Sequence, residues 1–255
     1  MKTSIVLLAC IALLCAVSLR AADPPVAPNK VPHLESKYDA ATLDKVENTP
    51  PEGFVAMFNG KDLTGWKGLL MPDSPAKRRD LTAEQLAKAQ EVADKNMKEH
   101  WSVENGVIVF DGHGRNLCSA KDYGDFEMWV DWKIPPHGDS GIYIRSSPQV
   151  QIWDPSNKQS NGIGSGGLWN NKLNPSNPDF FADRPVGQWN RFRIIMIGDR
   201  VTVYLNGNKV VNNVVLENYW ERDKPIYPTG TIELQNHGDL LWFKNIYVKE
   251  LERKQ

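Results

Sequence analysis

The stretch Asp125-Phe126-Glu127-Met128-Trp129-Val130-Asp131-Trp132 places Phe126, Met128, Val130 and Trp132 at every second position, with Glu127, Trp129 and Asp131 between them. A period of two is that of a strand with one face in a core. The same alternation recurs further along the chain. In Gly141-Ile142-Tyr143-Ile144-Arg145, Ile142 and Ile144 share the core face and leave Tyr143 and Arg145 opposite. In Gln149-Val150-Gln151-Ile152-Trp153, Val150 and Ile152 point inward and leave Gln149, Gln151 and Trp153. In Thr231-Ile232-Glu233-Leu234-Gln235-Asn236-His237, Ile232 and Leu234 point inward and leave Glu233, Gln235 and His237. Asn105-Gly106 and Asn206-Gly207 stand between further alternating runs and signal tight hairpins. With more strands at Trp189 to Ile197 and Leu241 to Val248, the pattern predicts an all-β antiparallel sandwich.

Composition narrows the function classes. The chain has 255 residues, and 41% hydrophobic content with 9 Trp, 8 Phe and 7 Tyr is enough to fill a core. Thirty basic against 31 acidic residues give no electrostatic reason to bind nucleic acid. Three Cys exclude a disulfide scaffold and a Cys-rich zinc site. A basic start, an apolar run from Ile5 to Val17 and small residues at Ala21-Ala22 read as a cleaved signal peptide over residues 1–21. The expected location is therefore secreted or periplasmic, with no transmembrane segment in the mature chain. Cleavage removes Cys10 and Cys15, leaves Cys118 as a lone buried thiol, and takes the formal charge from −1 to −3. Residues 22–52 are rich in Pro, Ala, Asn and charge, and read as a tether or an ordered surface wrap. The globular domain is expected over 53–253.

One segment departs from the strand pattern. Between Leu81 and Met97, Leu86, Ala89, Ala93 and Met97 recur at helical spacing, and Thr82 can cap the start. This predicts one amphipathic helix within an insert over 73–100. It is a packing decoration, a lid or a partner-docking helix. The Gly-, Asn- and Ser-rich loop from Asn157 to Pro178 lacks the strand-to-helix context of a phosphate loop, and a loop of that length usually borders a site.

The polar strand faces carry the chemistry. Outer faces of sandwiches collect Lys, Glu and Thr, whereas these collect Gln, Arg, Tyr, Trp, carboxylates and a His. Amides and guanidinium groups make directional hydrogen bonds, and Trp and Tyr offer flat apolar surfaces with a polar edge. A sugar ring uses both, so four neighbouring strands with pooled polar faces would form a carbohydrate platform. Gly138-Asp139-Ser140-Gly141 has the letters of a serine-protease nucleophile but leads into an alternating strand, with no matching His and Asp order. The five His residues are scattered, which argues against a His-based zinc centre. An oxygen-ligated divalent metal ion is admitted as a cofactor, although no Asp-rich loop demands one.

From Gly53-Phe54-Val55-Ala56-Met57-Phe58-Asn59-Gly60-Lys61-Asp62-Leu63-Thr64-Gly65-Trp66 onward the sequence resembles the 3-keto-disaccharide hydrolase family. The resemblance continues through Gly124 to Glu127, Asp139 to Arg145, Val150 to Asp154, Gly187 to Asn190, Leu205 to Gly207, Gly230 to Gly238 and Phe243 to Ile246. It implies a concanavalin-like jelly roll and cleavage of 3-keto-glycosides by hydrolysis or by elimination and hydration. Carried over position by position, it points to Glu127, Asp139, Arg145, Gln151, Asp154 and His237. Gln149 stands where many relatives carry Glu, and the helical insert is absent from shorter relatives.

A ketone at C3 acidifies the C2 proton, and the resulting enolate can expel the C1 oxygen. The reading places Glu127 or His237 as base, Arg145 with Gln151 or a cation on the enolate oxygen, and Asp139 or Tyr143 at the leaving oxygen. Trp129, Tyr143, Gln151, Trp153, Asp154 and Gln235 are the expected substrate-binding residues. The competing readings are a non-catalytic carbohydrate-binding domain on the same platform and a surface interaction module built on the insert.

Overall fold

The hairpin signals decide where the chain reverses. In the computed structural model, which describes residues 32–157 and 160–252, Asn105 and Gly106 have φ of 51° and 77°, and Asn206 and Gly207 have φ of 52° and 82°. Two positive φ values in a two-residue loop match the right-handed twist of the strands they join. The first loop joins β3 (Trp101–Glu104) to β4 (Val107–Asp111), and the second joins β10 (Arg200–Leu205) to β11 (Asn208–Val215).

The other strands are β1 (Val55–Ala56), β2 (Trp66–Gly68), β5 (Leu117–Ser119), β6 (Phe126–Lys133), β7 (Asp139–Ile144), β8 (Ser147–Trp153), β9 (Asn190–Ile197), β12 (Glu233–Leu234) and β13 (Leu240–Glu250). They form two antiparallel sheets. One has eight strands, in the order β11-β10-β9-β6-β13-β4-β3 with β1 added on β13; the other has five, in the order β2-β5-β12-β7-β8. The result is the antiparallel sandwich that the alternation predicts, and the jelly roll that the family resemblance implies. Its core is the set of inward positions: Phe126, Met128, Val130, Trp132 and Phe192 from the larger sheet meet Ile142, Ile144, Val150, Ile152, Ile232 and Leu234 from the smaller one.

The insert forms a short helix, α2 (Pro75–Arg78), and a long one, α3 (Ala83–His100). Thr82 and Gln85 make a reciprocal capping box at the start of α3, which satisfies two of its free N–H groups. Ala93 and Met97 are the buried positions of the apolar stripe. The helix lies against β2, the edge of the five-stranded sheet. There Asp94 Oδ1 accepts from Gly68 N at 2.9 Å and Gln90 Nε2 donates to Gly68 O at 3.1 Å. A Cβ at Gly68 would sit 2.0 Å from Ala93 O, so glycine is what allows the approach. The helix thus closes a sheet edge that would otherwise expose pairing groups.

From Pro32 on, the Pro-rich segment is an ordered wrap. His33 bridges to Phe181, and α1 (Ala40–Asp44) buries Leu43. Asn245 Oδ1 accepts from Glu47 N and Asn48 N at 2.9 Å each, and Lys244 Nζ donates to Asp44 O at 2.7 Å. The expected signal peptide, and residues 22–31 of the expected tether, lie outside the described residues.

A cavity of 580 Å3 lies between this wrap (His33, Glu35, Ser36) and the Asp183-to-Gln188 segment. Asp183 Oδ2 accepts from Ser165 N at 2.9 Å, while its buried Oδ1 has no partner among the described residues. Burial outweighs that bond and pushes the Asp183 carboxyl up to about 6. The folded chain therefore holds this proton more tightly than the unfolded one. The group's contribution to stability is complete below about pH 4 and is lost as the pH rises through 6. Asp183→Asn is expected to melt higher than the wild type above pH 6 and to converge with it near pH 4. A Tm difference independent of pH would contradict this.

Candidate active site

Alternation along β7, β8 and the segment continuing from β12 sends Asp139, Tyr143, Gln149, Gln151, Trp153, Gln235 and His237 to the outer face of the five-stranded sheet. Strand pairing sets their rows: Gly141 lies opposite Gln151, Asp139 opposite Trp153, and Tyr143 opposite Glu233. These side chains line a cavity of 190 Å3, and Trp169 and Tyr219 stand at its wall.

The floor is an amide chain. Gln149 Nε2 donates to Gln151 Oε1 at 2.5 Å, and Gln151 Nε2 donates to Asp139 Oδ1 at 2.8 Å. Gln151 Nε2 also reaches the carbonyls of Ser140 and Ile152 at 3.1 Å, so its donors are committed within the protein. Gln149 Oε1 and Gln235 Oε1 are buried without partners among the described residues. Unsatisfied acceptors in a cavity wall suit sugar hydroxyl donors. Gly141 gives the amides room: a Cβ there would lie 2.7 Å from Gln149 Cδ. Gly141→Ala is expected to displace that amide, to weaken about tenfold the hold on a ligand hydroxyl that donates to it, through one lost hydrogen bond, and to destabilise by about 1–3 kcal/mol. Calorimetric titration checks this; unchanged affinity would show that the amide chain does not meet the ligand.

Asp139 and His237 form the titratable pair. Asp139 Oδ2 lies 3.7 Å from His237 Nδ1; the carboxylate is nearly buried, whereas the imidazole is 49% exposed. Burial raises the Asp139 pKa, with the neighbouring Asp239 carboxylate adding to it, and this outweighs the His237 charge and the Gln151 hydrogen bond. Burial and the negative field of Glu233 keep the Tyr143 phenol protonated far above its ordinary range. The wall thus offers a neutral O–H donor beside an imidazole that solvent and ligand can reach. Trp153 is fixed by its Nε1–H donating to Gly164 O at 3.2 Å. Trp169 is 51% exposed and its ring centroid lies 6.5 Å from that of Tyr219, giving an aromatic collar.

Asp139, Tyr143, Gln151, Trp153, Gln235 and His237 therefore converge, but four other expected site residues do not join them. Glu127 and Trp129 lie on β6, in the eight-stranded sheet. Their shared face is the opposite exterior of the sandwich, two sheets away from the cavity, because the core face of β6 packs between the layers. There Glu127 Oε1 accepts from Arg193 Nε at 2.6 Å and from Trp129 Nε1 at 3.2 Å. Burial raises the Glu127 pKa, but these hydrogen bonds and the Arg193 charge prevail and hold the carboxyl below its usual range.

Arg145 is not on a strand face. With Ser146 it forms the two-residue turn between β7 and β8, at φ of 51° and 59°. Its buried guanidinium turns away from the cavity, to Gly124 O at 2.8 Å, Gly198 O at 2.6 Å, Tyr227 O at 3.3 Å and Asp125 Oδ1 at 2.5 Å. Asp154 follows β8 and caps a turn: Oδ2 accepts from His137 N and Oδ1 from Ser156 N, both at 2.7 Å. It borders the cavity beneath the N-terminal wrap instead.

Sequence reading missed Trp169 and Tyr219 as site residues. Trp169 sits in the long loop that was expected to border a site; Tyr219 carries no local signal. Among the described residues no group of three or more His, Cys, Asp or Glu side chains is placed to hold a metal ion.

A family model for the 3-keto-alpha-glucoside-1,2-lyase-like domain matches residues 53–249. The chain belongs to this family. A 3-keto-disaccharide hydrolase of Bacteroides thetaiotaomicron is 24% identical over 271 residues, covering 84% of each chain. Two crystal structures of candidate glycosyl hydrolases from Parabacteroides distasonis ATCC 8503 share the fold. One has a TM-score of 0.58 at 24% identity over 80% of this chain and 99% of its own. The other has a TM-score of 0.57 at 25% identity over 79% and 85%. Family membership supports an enzyme of the hydrolase type. No helix among the described residues is long and apolar enough to cross a membrane.

Proposed function

We propose that the protein is an exported enzyme that cleaves 3-keto-glycosides, 3-keto-disaccharides among them, through a C2 enolate. The observation that carries this is the exposed His237 imidazole set against the buried Asp139 carboxylate in a cavity of amides and aromatic rings. Family membership and the name of the Bacteroides relative support the substrate class.

The base takes the C2 proton, made acidic by the C3 ketone. In this geometry that role falls to His237, because Glu127 is on the other sheet. Asp139 faces Nδ1 and favours the imidazolium that forms; such contacts are often long before substrate binds. The negative charge moves to the C3 oxygen, where the protonated Tyr143 hydroxyl supplies a hydrogen bond. Re-forming the ketone creates a C1=C2 double bond and breaks the C1–O bond; the imidazolium returns its proton to the departing oxygen. Water then adds its oxygen to C1 and a proton to C2, which gives net hydrolysis. The collar of Trp153, Trp169 and Tyr219 holds the sugar by stacking.

Incubating the purified protein with a 3-keto-disaccharide, with and without a chelator, tests this. Release of the second sugar, with an unsaturated 3-keto-sugar detected transiently, is expected. Binding without turnover would establish the carbohydrate-binding reading, which the collar favours. Export is tested by the mass of the mature chain, expected to begin near Ala22.

A further inference from the structure

A second cavity, of 440 Å3, opens on the same outer face of the five-stranded sheet. Register ties it to the first. Lys67, Cys118, Glu233 and Tyr143 are successive Cα partners across β2, β5, β12 and β7, so they form one row on one face. Lys67 and Cys118 line the second cavity, Tyr143 lines the first, and Glu233 lies between. Cys118 and Tyr143 are two strand spacings apart, about 10 Å, which leaves room for two linked sugar rings along the row.

The inserted segment makes the second cavity cationic. Arg78, at the end of α2, and Lys67 are in its wall, with the exposed Asp122 carboxylate. Arg79 is also there, but its guanidinium is spent on Glu221, in hydrogen bonds of 3.0 and 2.6 Å. Arg78 has no ion pair among the described residues, and Lys67 Nζ only approaches Ala120 O at 3.4 Å. The buried Glu233 carboxylate feels the Arg78 charge, but takes its hydrogen bonds from Asn116 Nδ2 at 3.0 Å and Thr231 Oγ1 at 2.9 Å. The wall also carries the Ser146 and Thr231 hydroxyls, 2.8 Å apart. A half-buried guanidinium facing a cavity is matched by a carboxylate or sulfate, which it can bind through two parallel hydrogen bonds.

We infer that this cavity is the subsite for the leaving group and selects one that carries an anionic substituent, with Arg78 of the insert and Lys67 as the recognising cations. The inference rests on the catalytic reading of the first cavity for the direction of the substrate, and it gives the insert a role that edge protection alone does not.

The test compares binding of methyl glucuronide and methyl glucoside by calorimetry, using the full mature chain. Wild type is expected to prefer the glucuronide about tenfold, the effect of one charge-assisted hydrogen bond in a half-buried site. Arg78→Ala and Lys67→Ala are each expected to bring the ratio towards one, and Arg78→Lys to keep part of it. Raising the salt concentration should shrink the wild-type ratio. A ratio near one in the wild type, or an Arg78→Ala variant that loses Tm but keeps the preference, would overturn the inference and leave Arg78 as a counter-charge to Glu233. Turnover of a neutral 3-keto-disaccharide is measured in parallel. Turnover without an anionic preference sinks the subsite alone; a preference without turnover sinks the catalytic reading and the leaving-group assignment with it, and leaves only anion recognition by Arg78 and Lys67.

Discussion

His237→Ala is expected to lower kcat/KM on a 3-keto-disaccharide by at least about 100-fold, the lower range for a lost general base. Its imidazole is half exposed, and its one ion-pair contact among the described residues, to Asp139, is longer than a hydrogen bond. The fold therefore does not lean on it, and Tm should stay within a degree or two of the wild type. Asp139→Asn keeps the shape and the hydrogen bond accepted from Gln151 Nε2 but removes the charge facing the imidazole. As a positioning residue, Asp139 should affect kcat more than KM. If His237→Ala retained more than a tenth of the wild-type kcat/KM, the base would have to be sought elsewhere.

Arg145→Ala is expected to give the largest loss of stability, about 3–5 kcal/mol for breaking a buried ion pair, or a Tm lower by roughly 10 °C in a domain of this size. The side chains of Arg145 and Asp125 are 2% and 5% exposed, and truncation also strips partners from three carbonyls. Arg145→Lys keeps the charge but cannot fork among those acceptors, so it should fall between the two. The experiment separates two roles for one residue. A catalytic Arg145 would lose turnover with Tm intact, whereas a structural one loses Tm first and keeps its activity at temperatures where the chain is folded. Thermal melts alongside turnover at 15 °C decide between them.

Strand parity proved a reliable guide to which side chains share a face. Phe126, Met128, Val130 and Trp132 are all inside, and Tyr143, Gln151, Trp153 and Gln235 do share one cavity. The helix was equally legible, because Thr82, Gln85, Ala93 and Met97 state its cap and stripe within one local window. Arg145 misled for a specific reason. Continuing the alternation by one residue kept it on the strand, yet the chain reverses there through two residues that are neither Asn nor Gly, and the turn is held by contacts from Gly124, Gly198 and Tyr227.

Sequence alone determined that this chain makes an antiparallel sandwich, where its two Asn-Gly hairpins and its long inserted helix fall, and which strand positions face the core. These depend on contacts between near neighbours, and a period of two or of 3.6 writes them directly into the residue order. Only the tertiary structure decided which strands share a sheet. That choice put Glu127 and Trp129 on one exterior of the molecule and the Asp139–His237 pair on the other. It also brought Trp169, Tyr219 and Arg78 to the outer face of the five-stranded sheet from distant segments. Both sheets bury the same kind of face, so alternation is silent about partnership, and pairing between remote strands is fixed by how the whole core packs.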